Sequence, residues 1–450
     1  MIVKSVTVGG FKNIKKTRID LNKIVVLASL NNYGKSNLLE AISFGFDFIA
    51  ASNKLRRAMM SWPKGIPLTP DLAYENYMLE VEIDEPGLGQ YRYIRYGFSF
   101  SWLNHDDTGQ KITDEWLETR KSESVRYSSF IKRTEGRYRK GYSTQAYRKV
   151  ILDNAQLAID VLSSVDTIEI SDVIRAVQKM KFQVCSSLDL QDRFIPPPFE
   201  FVDGYEDSKI DLDDDDIPRA LFLMRRDFPE KYLLFKEAVF NLFPEFTDIL
   251  IQVYELKSEE IERVRVFVAT SGSNEQRAAD ANEFPVPLKI REELYRLSVK
   301  SAYLNQPINA SLMSAGTKRI IWILANIFTS SCGGVSFLGI EELETSIHPK
   351  LLKKLLEILT DIDESISVIV SSHSPYIIQY LKPTQIYLGL SDKGNASFKR
   401  ISASKSKALG IASQNLGVST GEYLFELMAG NADSTSILSQ YLEDLNNDGL

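Results

Sequence analysis

The residues best placed to do chemistry form a short polar loop, Ser29-Leu30-Asn31-Asn32-Tyr33-Gly34-Lys35-Ser36, followed by Asn37-Leu38-Leu39. An ammonium, a hydroxyl and a glycine at a strand-to-helix turn suit a triphosphate. Such a loop points successive backbone N–H groups at the anion and ends at a helix N-terminus, where orphan donors and the dipole favour negative charge. Gly34 lets the backbone come close. Lys35 is expected to reach the β- and γ-phosphates, Ser36 to complete the coordination of Mg²⁺, and Asn31, Asn32 and Asn37 to contribute to the same ATP cradle. The pattern G-x-x-x-x-G-K-[ST] departs at one position, where Ser29 stands for the first glycine.

A second constellation lies in the C-terminal half. Ser314-Ala315-Gly316 enters an apolar helical pattern, so a serine and a glycine at a helix start offer another anion-binding element. Val335 to Ile340 reads as a buried strand ending in Glu341-Glu342, and paired acids at such an end can hold Mg²⁺ and polarise a water. Ser367 to Ser372 reads as another buried strand, ending at His373, one of only three histidines. Taken alone, His373 fits a capping or core role; in company with the other elements it reads as part of the site.

These groups need elements to hold them. Ile24 to Ala28 reads as the strand before the loop and Ser36 to Leu55 as the helix after it. Strands are expected at Ile2 to Val8, Thr17 to Leu21, Tyr77 to Ile83 and Tyr91 to Trp102, with Pro86-Gly87 as a turn. Apolar spacing in 151–190 suits helices, Pro218 to Phe246 reads as helical, and Ile249 to Tyr254 and Val264 to Val268 read as strands. The fold class expected is α/β, a mixed sheet with an antiparallel β subdomain and flanking helices, carrying a mostly helical central insert. The lobes divide as 1–102, an insert at 103–269, 270–400, and a helical tail at 401–450.

With 450 residues, 44% hydrophobic and 25% charged, the chain can bury a large core. A net charge of −7 excludes global attraction to nucleic acid, so any such contact needs a local patch. Cys185 and Cys332 are the only cysteines, which argues against a disulfide framework or a cysteine zinc site and for a reducing compartment. No apolar run approaches the roughly 18 residues of a membrane span and the N-terminus has no signal-peptide pattern, so a cytoplasmic protein with no membrane partner is expected.

The set of motifs resembles the ABC-type ATPases, in the branch that holds the RecF, SMC and OLD-like proteins. The phosphate loop resembles Walker A, Ser314-Ala315-Gly316 the signature, Glu341-Glu342 Walker B, Glu344 to Pro349 the D-loop, and Ser372-His373-Ser374-Pro375 the switch-histidine loop. Phe11-Lys12-Asn13 resembles the early turn that touches the nucleotide, so the resemblance adds Lys12 to the ATP-binding set. It also implies that Glu342 is the general base, that His373 contacts the γ-phosphate, and that Ser314 and Gly316 close on the nucleotide of a second copy in a head-to-head dimer or higher homo-oligomer. Glu341 stands where the family has a metal-contacting Asp, so slow hydrolysis is expected.

The resemblance extends to the ATPase members of anti-phage defence pairs of the PARIS and Septu kinds, which implies a separate effector nuclease and a nucleic-acid or phage-protein trigger. A RecF-like repair role is the alternative. An OLD-type nuclease is disfavoured, because no Asp-x-Asp follows Gln385 to Leu388. Within 121–150, nine basic residues face two acidic ones among several aromatics, which suits a nucleic acid, an acidic protein surface or a solvated face. The run Asp211, Asp213 to Asp216 reads as an acidic loop.

Overall fold

Polar–apolar alternation dominates the first half of the chain and buried apolar runs the elements around the loop, and each pattern builds its own sheet. The computed structural model describes residues 1–67, 69–103, 108–134, 137–140, 148–149, 152–163, 170–186, 193–195, 199–201, 216–257, 288–361, 366–430 and 432–443. The strands are β1 (Ile2–Gly9), β2 (Thr17–Asp20), β3 (Ile24–Ala28), β4 (Tyr77–Asp84), β5 (Tyr93–Ser101), β6 (Lys111–Arg120), β7 (Ser128–Thr134), β8 (Arg137–Lys140), β9 (Arg148–Lys149), β10 (Phe182–Cys185), β11 (Phe199–Phe201), β12 (Phe246–Glu255), β13 (Leu288–Ile290), β14 (Glu293–Ser301), β15 (Ile308–Asn309), β16 (Phe337–Ile340), β17 (Ser367–Ser372), β18 (Ile386–Asp392) and β19 (Asn395–Arg400). The helices are α1 (Lys35–Ala50), α2 (Asn53–Met59), α3 (Ala158–Ser163), α4 (Ser171–Gln178), α5 (Ile217–Asp227), α6 (Pro229–Leu242), α7 (Ala315–Cys332), α8 (Pro349–Asp361), α9 (Pro375–Ile378), α10 (Ser406–Asn415), α11 (Thr420–Ala429) and α12 (Ala432–Ser439).

The chain divides into two compact units, one of Met1–Ser186, Gly334–Glu344 and Leu352–Leu450, the other of Ser187–Gly333 and Thr345–Leu351. In the first, a six-stranded sheet runs β10-β16-β17-β3-β18-β19, parallel except for β19. Its strands β16, β17 and β3 are buried along their whole length, which is why they carry no polar face. An antiparallel sheet runs β2-β1-β4-β5-β6-β7-β8-β9. Helix α1 joins the two cores through aromatics on different faces. Phe48 stacks on Phe98 at 4.9 Å and Phe44 meets Tyr77 at 5.1 Å, while Phe46 meets Phe337 at 5.3 Å. The second unit holds β12-β14-β15 and β11-β13 with α5, α6 and α7.

The mixed and antiparallel sheets agree with the expected fold class, and three details differ from the sequence reading. The central segment is not mostly helical at its start, because β6 to β9 continue the antiparallel sheet. Alternating burial on β6, with Ile112, Leu117 and Thr119 buried, suits a half-buried strand. The helix expected at 36–55 breaks after Ala50, where Ser52 accepts from the Leu55 N–H at 3.4 Å and caps α2. The helix expected at 218–246 splits at Phe228, because Pro229 supplies no N–H and starts α6. The expected strand Val264 to Val268, Pro196 to Pro198 and Asp211 to Asp215 lie outside the described residues. Asp216 caps α5 by accepting from the Arg219 N–H at 3.0 Å and pairs with Arg291.

The basic stretch 121–150 is also more structural than its composition suggests. Arg133 is buried beside the fully buried Glu115 at 3.8 Å, and Phe130 belongs to the core. Tyr127 lies between two guanidinium groups, Arg95 at 4.1 Å and Arg120 at 4.4 Å from its ring centre.

Candidate nucleotide site

The parallel register puts the C-terminal ends of β16, β17 and β3 along one edge of the six-stranded sheet, outside which ligands bind in open α/β folds. The loop after β3 ends at Gly34 and leads into Lys35 and Ser36 at the start of α1; the loop after β16 carries Glu341, Glu342 and Glu344; the loop after β17 carries His373. These groups, far apart in sequence, therefore gather in one unit.

Gly34 sits at φ 80° as the residue before α1, and an added Cβ would lie 2.6 Å from the Ala396 side chain, so both conformation and space require glycine. Asn32 also adopts positive φ, 65°, which asparagine tolerates. The first turn of α1 has no side-chain cap, leaving its N–H groups for an anion. Ser36 is exposed there, and Asn31 and Asn32 are exposed in the turn before it.

Lys35 is only 6% exposed. Its ammonium donates to the carbonyls of Ser29 and Leu30, each at 2.9 Å, to Ser29 Oγ at 3.0 Å, and lies 3.0 Å from Nδ1 of His373. Burial pushes its pKa down to about 8, against the upward pull of Glu344 and Glu342. Ser29, the departure from the glycine pattern, is not strained, since it is absent from the positive-φ positions. Its side chain occupies room left by Gly389 on β18, where an added Cβ would fall 2.7 Å from Ser29 Cβ.

The carboxylate loop is stitched to the end of β17. Ser371 Oγ accepts from the Glu342 N–H at 3.0 Å and the Ser371 carbonyl from the Leu343 N–H at 3.3 Å. Glu342 is held at φ 48°, an uncommon conformation for glutamate that is sustained by these bonds. Its Oε1 lies 3.7 Å from Nε2 of His373. Burial and the Lys35 charge lower the His373 pKa, so the imidazole is neutral near pH 7. Glu344 accepts from the His373 N–H at 2.7 Å through Oε1.

A hard cation suits these groups, which offer the Ser36 hydroxyl and carboxylate oxygens. Among the described residues, no three His, Cys, Asp or Glu side chains form a metal cage, so an ion here would draw further ligands from phosphate and water, as magnesium does.

Lys12, at φ 48°, sits above α1 with its ammonium bonded to Glu40 and 3.4 Å from Asn37 Oδ1, while Asn37 donates to Asn13 Oδ1 at 2.8 Å. Lys12 and Asn37 thus come together at the same helix. Ser314 and Gly316 belong to the other unit. Ser314 caps α7, accepting from the Thr317 N–H at 3.2 Å, and is exposed, while Gly316 in the same first turn is half-buried. A Cβ on Gly316 would lie 2.4 Å from the Ser346 carbonyl, so the glycine admits that loop's backbone.

Sequence reasoning missed four groups of this site as partners. Ser29 and Ser371 are anchors, Glu344 joins two loops, and Tyr33 donates to the Met428 carbonyl of α11 at 3.3 Å. Gly421, at the other end of α11, packs on Pro375 just after the histidine loop, its would-be Cβ 2.0 Å from that carbonyl. The C-terminal tail therefore touches both loops.

Comparison with known proteins gives one family. A family described as "AAA domain, putative AbiEii toxin, Type IV TA system" matches residues 30–379. No curated protein matches. Among solved structures, the chain is similar to an SMC head bound to the C-winged-helix domain of ScpA, with 14% identity, TM-score 0.48, and coverage of 91% of this chain and 100% of that one. An SMC head domain from Thermotoga maritima gives 10% identity, TM-score 0.40, and coverage of 89% and 100%. An SMC head with an extended coiled coil, bound to the C-terminal domain of ScpA derived from Pyrococcus furiosus, gives 15%, 0.43, and coverage of 92% and 99%. No helix among the described residues is long and apolar enough to cross a membrane. The matched span contains the phosphate loop, the carboxylate loop and the histidine loop, and the chain belongs to this AAA-domain family.

Proposed function

We propose that the chain is a slow, Mg²⁺-dependent ATPase that works as a nucleotide-driven switch. The observation that carries this reading is the convergence of Lys35, Glu342 and His373, from three different loops, at one sheet edge. Lys35 and the uncapped start of α1 bind the phosphates and Ser36 and Glu341 face the cation, which would neutralise charge developing on the transferred phosphoryl group. Glu342 takes the proton of the attacking water. His373 is released from Lys35 when phosphate replaces it as the lysine's partner, and then contacts the terminal phosphate.

Ser314, exposed at the start of α7, and the half-buried Gly316 beside it close on the nucleotide of a second copy, giving a head-to-head homo-oligomer. We further infer a cytoplasmic role in anti-phage defence in which the ATPase controls a separate effector in response to a nucleic-acid or phage-protein trigger; the motif resemblance motivates this reading, and the family's description, a putative AbiEii toxin of a type IV TA system, is what the comparison adds.

Glu342→Gln tests the assignment of the base. The amide keeps the shape but accepts no proton, so ATP binding is expected to persist while turnover falls by about 100-fold or more. Unchanged turnover would remove Glu342 from that role.

A further inference from the structure

One group at this edge has no use in the reaction as described. Glu344 spends Oε1 on the His373 backbone N–H at 2.7 Å, yet Oε2 is buried without a hydrogen-bond partner among the described residues. A carboxylate oxygen left in that state costs stability unless a donor satisfies it. The carboxylate also sits where its charge acts on both Lys35 and His373, that is, beside the phosphate-reaching group and the histidine loop. A residue serving only to fasten that loop needs one acceptor oxygen, and a neutral amide would supply it.

We propose that Glu344 is a positioning residue for the metal hydrate: while Oε1 pins the histidine loop, Oε2 accepts a hydrogen bond from a water carried on the magnesium ion of bound Mg·ATP. Magnesium dehydrates reluctantly and keeps several waters, so a protein that offers few direct ligands holds it largely through acceptors for those waters. The described residues form no cage of three direct ligands, and Glu344 offers a buried oxygen that awaits a donor. The same group then ties the ion to the histidine loop through a single side chain.

This inference rests on the ATPase reading, and its test separates the two. ATP affinity of the full chain is measured by calorimetry in magnesium and in EDTA, for the wild type and Glu344→Gln. Glutamine keeps an oxygen for the His373 N–H and removes the charge. The expected result is that ATP binds the variant in EDTA at least as tightly as the wild type, since a negative charge beside the polyphosphate has gone, while the tightening produced by magnesium shrinks by about tenfold or more. A purely structural role for Glu344 would weaken both conditions alike. A variant that keeps the full magnesium-dependent tightening, or loses affinity equally in both buffers, overturns the proposal. If Glu344→Gln does not fold, Glu344→Asp carries the same comparison with the carboxylate one methylene short, and an undiminished magnesium effect there also overturns it. A wild type that binds no ATP in either buffer sinks the ATPase reading itself.

Discussion

The ammonium of Lys35 lies 3.0 Å from Nδ1 of His373. An ammonium can only donate, so Nδ1 accepts and the neutral ring carries its proton on Nε2, the nitrogen 3.7 Å from Glu342 Oε1. The group expected to grip the phosphates and the group expected to sense the last of them are thus in direct contact.

The buried lysine makes ATP binding pH-dependent. Its pKa of about 8 in the free protein rises when a triphosphate replaces neutral partners, so binding takes up a proton above that pH. Calorimetry in buffers of different ionisation enthalpy is expected to read uptake approaching one proton near pH 9 and almost none at pH 6.5. The same depressed pKa means the unfolded chain holds the extra proton between pH 8 and 10.5, so this group's contribution to stability rises with pH across that window.

Ser29 and Gly389 are predicted to be energetically coupled. Gly389→Ala places a methyl group 2.7 Å from Ser29 Cβ and is expected to cost about 1–3 kcal/mol of stability, with weaker ATP binding. Ser29→Gly removes the closest part of the clash and leaves the contact with the Phe398 ring at 3.0 Å, so the double variant is expected to recover part of the loss. Additive effects in thermal unfolding would show that the two residues do not share this space.

Much of the site was legible because its chemistry lies at the ends of buried strands. The apolar run Ile24–Ala28 coincides with β3 residue for residue, and Glu341-Glu342 and His373 fall where apolar runs stop. The pairings that arm the site were not legible, because they are long-range. Nothing in the spacing tells that Glu344 accepts from His373 or that Gly389 makes room for Ser29. In β6 and β7 the charge content hid a strand period, and Arg133, counted by composition with the basic patch, is buried against Glu115.

If Ser314 and Gly316 act on a second copy, Ser314→Arg blocks closure without touching the phosphate loop. The variant is expected to bind ATP like the wild type but to lose ATP-dependent assembly, read by light scattering, together with most of its turnover. Assembly and turnover both unchanged would exclude a composite site.

Strand β8, which pairs with the last strand β9 of the antiparallel sheet, carries Arg137, Arg139 and Lys140. Reversing these three to Glu is expected to weaken docking of an effector or a nucleic acid in a salt-sensitive manner while basal ATPase activity stays within about twofold. Equal partner recovery in pull-downs and equal nucleic-acid shifts would assign the stretch to the solvated surface.

The central claim is that the loop ending in Lys35 binds ATP. Calorimetric titration of Mg·ATP into the wild type and Lys35→Ala tests it directly. The account predicts one high-affinity site per chain in the wild type and a loss of about 100-fold or more in the variant, since a buried cation facing phosphate contributes several kcal/mol to binding. Equal affinity in the two proteins would contradict it.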